Sequence, residues 1–160
     1  MSRTQASAST FKGTGFRGYR KYLETVLANE ERESILRDLR PDVRELFIDD
    51  VLLVSTMYPI ELQHHFLETF GRHMGKAADE SLRAMGAKVA ETDLVGVYRM
   101  FLRGASVPLT LQILGKVWNN YFSTGHAVWK AGKGNEGVMQ ITDPAHHRLH
   151  YPVAAGYIEQ

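Results

Sequence analysis

At 160 residues, with 44% hydrophobic and 23% charged residues, the chain is long enough for one well-filled core and reads as a globular domain. A net charge of +1 supplies no field for nucleic acid or an acidic membrane, and the absence of cysteine excludes disulfides, thiol nucleophiles and cysteine-ligated metal centres. No run approaches the roughly 18 uncharged apolar residues of a membrane span.

Met1 to Thr10 is polar and rich in Ser, Thr and Ala, without the apolar stretch of a signal peptide. It is expected to be a disordered lead-in, residues 1–10, to a single cytoplasmic domain over 11–160. Helical spacing follows. Phe16, Tyr19, Leu23, Val26 and Leu27 share one face of a first helix. Asn29 is the expected N-cap of a second, with Glu30, Glu31 and Glu33 against the positive end of its dipole. Ile35, Leu36 and Leu39 give its apolar stripe, and Pro41 ends or restarts it. Val43 to Val54 fits a helix or a buried strand equally well. Pro59 opens the clearest helix: Ile60, Leu62, Phe66, Leu67, Phe70 and Met74 fall in one arc, with Gly71 and Gly75 as points of interruption. A helix over Lys76 to Met85 is expected to stop at Gly86, a C′ glycine, and Thr92 to cap the next. That one carries Leu94, Val97, Tyr98, Phe101 and Leu102, with Gly104 closing it. Pro108 starts another, bearing Leu111, Leu114, Trp118 and Tyr121.

After Gly125 the pattern changes. His126 to Ala131 and Val138 to Thr142 read as a hairpin, and Tyr151 to Ile158 as a returning strand. The fold class is therefore α+β, with a mostly helical N-terminal three quarters packed on a small antiparallel C-terminal sheet. Gly132 to Gly137 matches G-x-G-x-x-G, but that fingerprint needs a helix behind it. A β-rich run, Val138 to Thr142, follows instead, so the glycines read as a hairpin turn.

Chemistry-bearing residues are few. No serine or threonine sits in a nucleophile elbow. Asp49 and Asp50 are adjacent, so their side chains diverge, and a loop or cap role fits better than a shared proton. On the Pro59 helix, His64 and Glu68 are the one pair at metal-ligand spacing, and a solvated surface pair explains them as well; His73 borders the apolar arc. His146, His147 and His150 are better spaced for one ion but lie in a Pro-flanked loop. No metal and no cofactor is expected, and catalysis has no support. A basic start (Arg3, Lys12, Arg17, Arg20, Lys21) against an acid-rich Glu30 to Asp50 reads as solvated helix faces or as a self-complementary association surface.

The aromatic residues Tyr98, Phe101, Trp118, Tyr121, Phe122 and Trp129, with Tyr58, supply a core or the wall of an apolar ligand pocket. Phe11-Lys12-Gly13, Tyr58-Pro59-Ile60, Tyr98 to Leu102, Trp118 to Gly125 and Gly156-Tyr157-Ile158, with Gly75 and Gly86, resemble an uncharacterised bacterial family expanded in myxobacteria. That family is similar to the superfamily of four-vinyl-reductase-like domains, haem nitric-oxide-binding domains and Golgi transport-particle subunits. The resemblance implies helices on a small sheet, and small-molecule sensing, hydrocarbon or acyl-chain binding, or dimeric scaffolding. Its haem-binding members hold the propionates with Tyr-x-Ser-x-Arg; here Tyr121-Phe122-Ser123-Thr124-Gly125 has glycine in place of the arginine, so haem is not expected. The expected function is a non-catalytic sensory or regulatory domain, a homodimer or one bound to a regulatory partner, with a small apolar ligand between helices and sheet. The alternatives are a ligand-free protein-interaction module and, third, a metal-dependent enzyme using His146 and His150.

Overall fold

The computed structural model describes residues 9–48, 51–93, 107–133, 137–142, 145 and 147–159. Strand β1 (Thr10–Lys12) leads into α1 (Gly13–Thr25), α2 (Asn29–Asp38) and α3 (Pro41–Ile48). Strand β2 (Met57–Pro59) leads into α4 (Ile60–Met74), and a single 3-10 turn joins this to α5 (Ala78–Asp93). Helix α6 (Val107–Tyr121) feeds the hairpin β3 (His126–Ala131) and β4 (Gly137–Thr142), and α7 (His150–Glu159) comes last. The fold is α+β, as the periodicities require.

The core forms where the apolar stripes of α1, α4 and α5 meet. Phe16, Phe66, Phe70, Leu82 and Met85 are completely buried. Phe66 stacks between Phe47 at 4.6 Å and Tyr19 at 5.2 Å, aromatic pairing that adds to the burial of the rings themselves. Besides the expected hairpin there is a second small sheet. β1 pairs antiparallel with β2, Phe11 opposite Tyr58, and Phe11 also bridges Phe122 just after α6. Thr10, the last residue of the expected lead-in, is thus already in a strand.

Several sequence expectations are revised. The segment Val43 to Val54 resolves as helix up to Ile48. Ala28, not Asn29, occupies the cap position of α2. Gly75 does end α4, at φ +56°, a backbone conformation that glycine adopts freely. Gly86 ends nothing: α5 runs through it to Asp93, and Thr92, expected as a cap, lies in its last turn with its hydroxyl donating to the Lys88 carbonyl. Tyr151 to Ile158 is helix, not strand. Pro152 is tolerated in its first turn, and Val153, Gly156 and Tyr157 recur at helical spacing against α5.

These last two corrections share one cause. A Cβ on Gly86 would lie 1.9 Å from the Val153 carbonyl oxygen, and one on Gly156 would lie 1.8 Å from the Arg83 carbonyl oxygen. The glycines are there to let α5 and α7 touch backbone to backbone. The helix expected over Leu94 to Gly104 lies outside the described residues, as do Asp49 and Asp50 and the Leu111 and Leu114 side chains.

No helix among the described residues is long and apolar enough to cross a membrane.

Candidate functional site

Where α6 hands over to the hairpin, its last turn and β3–β4 face the α5–α7 pair across an apolar pocket of about 70 Å³. Each wall follows from a local pattern. Val117, Trp118 and Tyr121 share the inner face of α6 at i, i+1 and i+4. Ala127 on β3, and Met139 and Ile141 on β4, are the inward set of an alternating hairpin. Val153, Ala154 and Tyr157 come from α7. The turn between α6 and β3 is fixed by the Trp118 indole N–H donating to the Thr124 carbonyl at 3.2 Å and by Gly125 at φ +75°.

Phe11 completes the wall from the N-terminal side. Its ring lies 5.1 Å from Phe122 and 6.1 Å from Tyr121, and its strand is tied down there. The Thr10 amide donates to the Ser123 hydroxyl at 2.9 Å, and the Ser123 amide donates to the Thr10 carbonyl at 3.1 Å.

Among the lining side chains that carry polar atoms, Tyr19 and His150 each turn one to Gln63 behind the wall. The amide nitrogen of buried Gln63, on α4, donates to the Tyr19 hydroxyl at 3.0 Å and lies 3.1 Å from Nδ1 of His150. His150 turns its ring edge-on to Trp118 and Phe122. Burial pushes the Tyr19 phenol above its ordinary value, offset in part by the Gln63 hydrogen bond, so it stays neutral. The Tyr121 hydroxyl is buried without a hydrogen-bond partner among the described residues.

Of the six aromatic residues singled out by sequence, Trp118, Tyr121 and Phe122 meet at this pocket. Trp129 is not among its lining residues; its ring lies against Gly137, where a Cβ would come 2.1 Å from Cζ2. Tyr98 and Phe101 lie outside the described residues. Sequence reasoning missed Gln63, whose place on the buried face of α4 was its one signal, and His150, read as part of a loop cluster. It missed Phe11 as pocket wall because a three-residue strand has no periodicity to detect.

The histidines separate. His147 pairs with Glu68 at 3.1 Å and sits 5.1 Å, ring to ring, from His64, so Glu68 serves His147 rather than its own helix neighbour. His73 pairs with Asp38 at 2.9 Å. His150 is buried on Gln63, and His146 lies outside the described residues. Among the described residues no group of three His, Asp or Glu is placed to hold a metal ion.

Burial first, and then the His147 ring, holds His64 below the ordinary histidine value of 6.5; burial does the same at His65, helped by Arg40 and Arg72. Below 6.5 the unfolded chain protonates these imidazoles while the folded chain resists, so their stabilisation is present above that value and lost as pH falls through it. Urea denaturation is expected to show a lower midpoint at about pH 5.5 than at about pH 7.5, and H64Q to shrink the gap. Equal midpoints in the unmodified protein would contradict the assignment.

No protein-family model matches the chain, and no characterised protein is significantly similar to it in sequence.

Proposed function

We propose that the chain is a non-catalytic, cytoplasmic sensory or regulatory domain, acting as a homodimer, that takes a small apolar molecule into the pocket between α6, the hairpin and α7. One observation carries this reading. The pocket is walled by Phe11, Trp118 and Phe122, and the Tyr19 hydroxyl and Nδ1 of His150 there are directed to Gln63. Such a surface offers an uncharged guest dispersion contact, and among the described residues no lysine or arginine lines it to pair with a carboxylate.

Size narrows the guest. Pockets for drug-sized ligands run to roughly 300–1,000 Å³, and an apolar protein cavity of roughly 150 Å³ admits benzene. At about 70 Å³ the present space suits a molecule of a few heavy atoms, or a single ring after a small outward shift of the wall. Haem and long acyl chains are too large for it.

Native mass spectrometry of the full chain, with fluorobenzene added as a probe and followed by fluorine NMR, tests the proposal. Saturable binding is expected in the unmodified protein and loss of binding in Ala154→Leu, whose larger side chain fills the lined space. A protein that ignores the probe and carries no apolar adduct would leave the second reading, a ligand-free interaction module. That alternative draws on the exposed apolar side chains Ile48, Leu53, Val54 and Met57 around the α3–β2 connection.

A further inference from the structure

We propose that the outer edge of β4 is the surface through which two copies of the chain associate, strand against strand about a two-fold axis, joining two hairpins into one four-stranded antiparallel sheet. This names the interface of the dimer proposed above and rests on that reading. β4 pairs with β3 over six residues, from Ala131 opposite Gly137 to His126 opposite Thr142, without a bulge. On its other side it makes no strand pairing, bridge or backbone hydrogen bond among the described residues. β3 differs: its Ala127 carbonyl abuts Gly115 of α6, so the helix covers that flank.

An open strand edge presents a row of unpaired N–H and C=O groups, and proteins ordinarily guard such edges with charge, proline or a bulge. Gly137-Val138-Met139-Gln140-Ile141-Thr142 carries no charge and no proline.

A second copy is the partner this edge fits. Directly opposed residues of an antiparallel pair share a face. A two-fold axis at Gln140 therefore sets Val138 against Thr142 of the partner subunit on the outer face, and Met139 against Ile141 of the partner subunit on the inner face. On the outer face Val138, 65% exposed, gains a cross-strand neighbour. On the inner face Met139 and Ile141 both line the pocket, so the partner's Ile141 extends its apolar floor. With no charge on either strand, the copies meet without repulsion.

The experiment is sedimentation equilibrium on the full chain, run as the unmodified protein, as Gln140→Lys, as Gln140→Glu, and as an equimolar mixture of the two variants. Gln140 is exposed on the hairpin, so both variants are expected to keep the unmodified circular dichroism spectrum. The unmodified protein is expected to be a dimer. Like charges facing each other at the axis are expected to weaken each variant dimer by up to about fivefold, and the mixture to regain it through a lysine–glutamate pair. Amide exchange of β4 that slows as protein concentration rises would support the same contact. A dimer unaffected by either charge overturns the surface while leaving the dimer standing. A mixture that stays as weak as its components overturns the strand-to-strand geometry. An unmodified protein that is monomeric throughout overturns both.

Discussion

Gly86→Ala is expected to lower the thermal midpoint by roughly 4–8 °C, the equivalent of about 2 kcal/mol for a domain of this size. Two opposing terms give that figure. Alanine is favoured over glycine inside a helix by about 1 kcal/mol. Against it stands the new methyl group, whose Cβ falls 1.9 Å from the Val153 carbonyl oxygen and 3.0 Å from the Tyr157 amide nitrogen. These are backbone atoms, so α7 itself must move, at a cost of about 3 kcal/mol or more. Gly156→Ala is expected to behave alike, because the same helices touch at the Arg83 carbonyl. The double variant should cost less than the sum, since the first methyl already parts the helices. Gly71→Ala is the control: its Cβ meets only the end of the Leu149 side chain, at 3.1 Å, and there helix propensity is expected to win or break even. Differential scanning calorimetry on the four variants checks all of this. A Gly86→Ala protein as stable as the parent would mean that α5 and α7 do not meet as described.

Phe11→Ala is expected to cost about 3–5 kcal/mol, the range for deleting a buried phenyl ring. Phe11 is 2% exposed and contacts the rings of Phe16, Tyr19, Tyr121 and Phe122. Its loss removes the contact that joins β1 to the end of α6, and it enlarges the pocket by about the volume of the ring it removes. Denaturant titration with and without fluorobenzene separates the two consequences. Stability should fall in both, and the probe should restore more of it in the variant than in the parent, because a guest that binds only the folded chain stabilises it by mass action. A variant that loses stability without any probe-dependent recovery would place Phe11 in the core and not at the pocket.

Much of the fold was legible in the residues. The stripe on α4 and, on α1, its Phe16, Tyr19 and Leu23 part were read correctly because each is an amphipathic period with one buried face, and the hairpin because alternation and glycine-rich punctuation coincide. Val26 and Leu27, assigned to the same face, lie beyond the end of α1 at Thr25, with Val26 53% exposed. The failures concern glycine and short strands. Gly86 has the look of a helix stop, since glycine is the usual residue beyond a helix end. Whether a glycine ends a helix or admits a neighbour depends on what lies across from it, here Val153, some 67 positions further along the chain. Tyr151 to Ile158 mixes β-favouring residues with small ones, and only docking on α5 selects the helix. β1 and β2, three residues each, offer no period at all.

The candidate site divides in the same way. Trp118, Tyr121 and Phe122 were legible as one side of a pocket because they lie in a single helical turn and the residue after it. Trp129 shares their chemistry, yet its ring covers Gly137 and is not part of the lining. The trio of Tyr19, Gln63 and His150 draws on three helices, α1, α4 and α7, and no spacing along the chain announces it. By itself, then, the sequence determined what is local: the helical stripes, the hairpin, and the absence of cysteine chemistry. Tertiary structure decided which glycines are contacts, which histidine is buried, and where the aromatic rings leave a gap, because each of these is settled by atoms far apart in the chain competing for the same space.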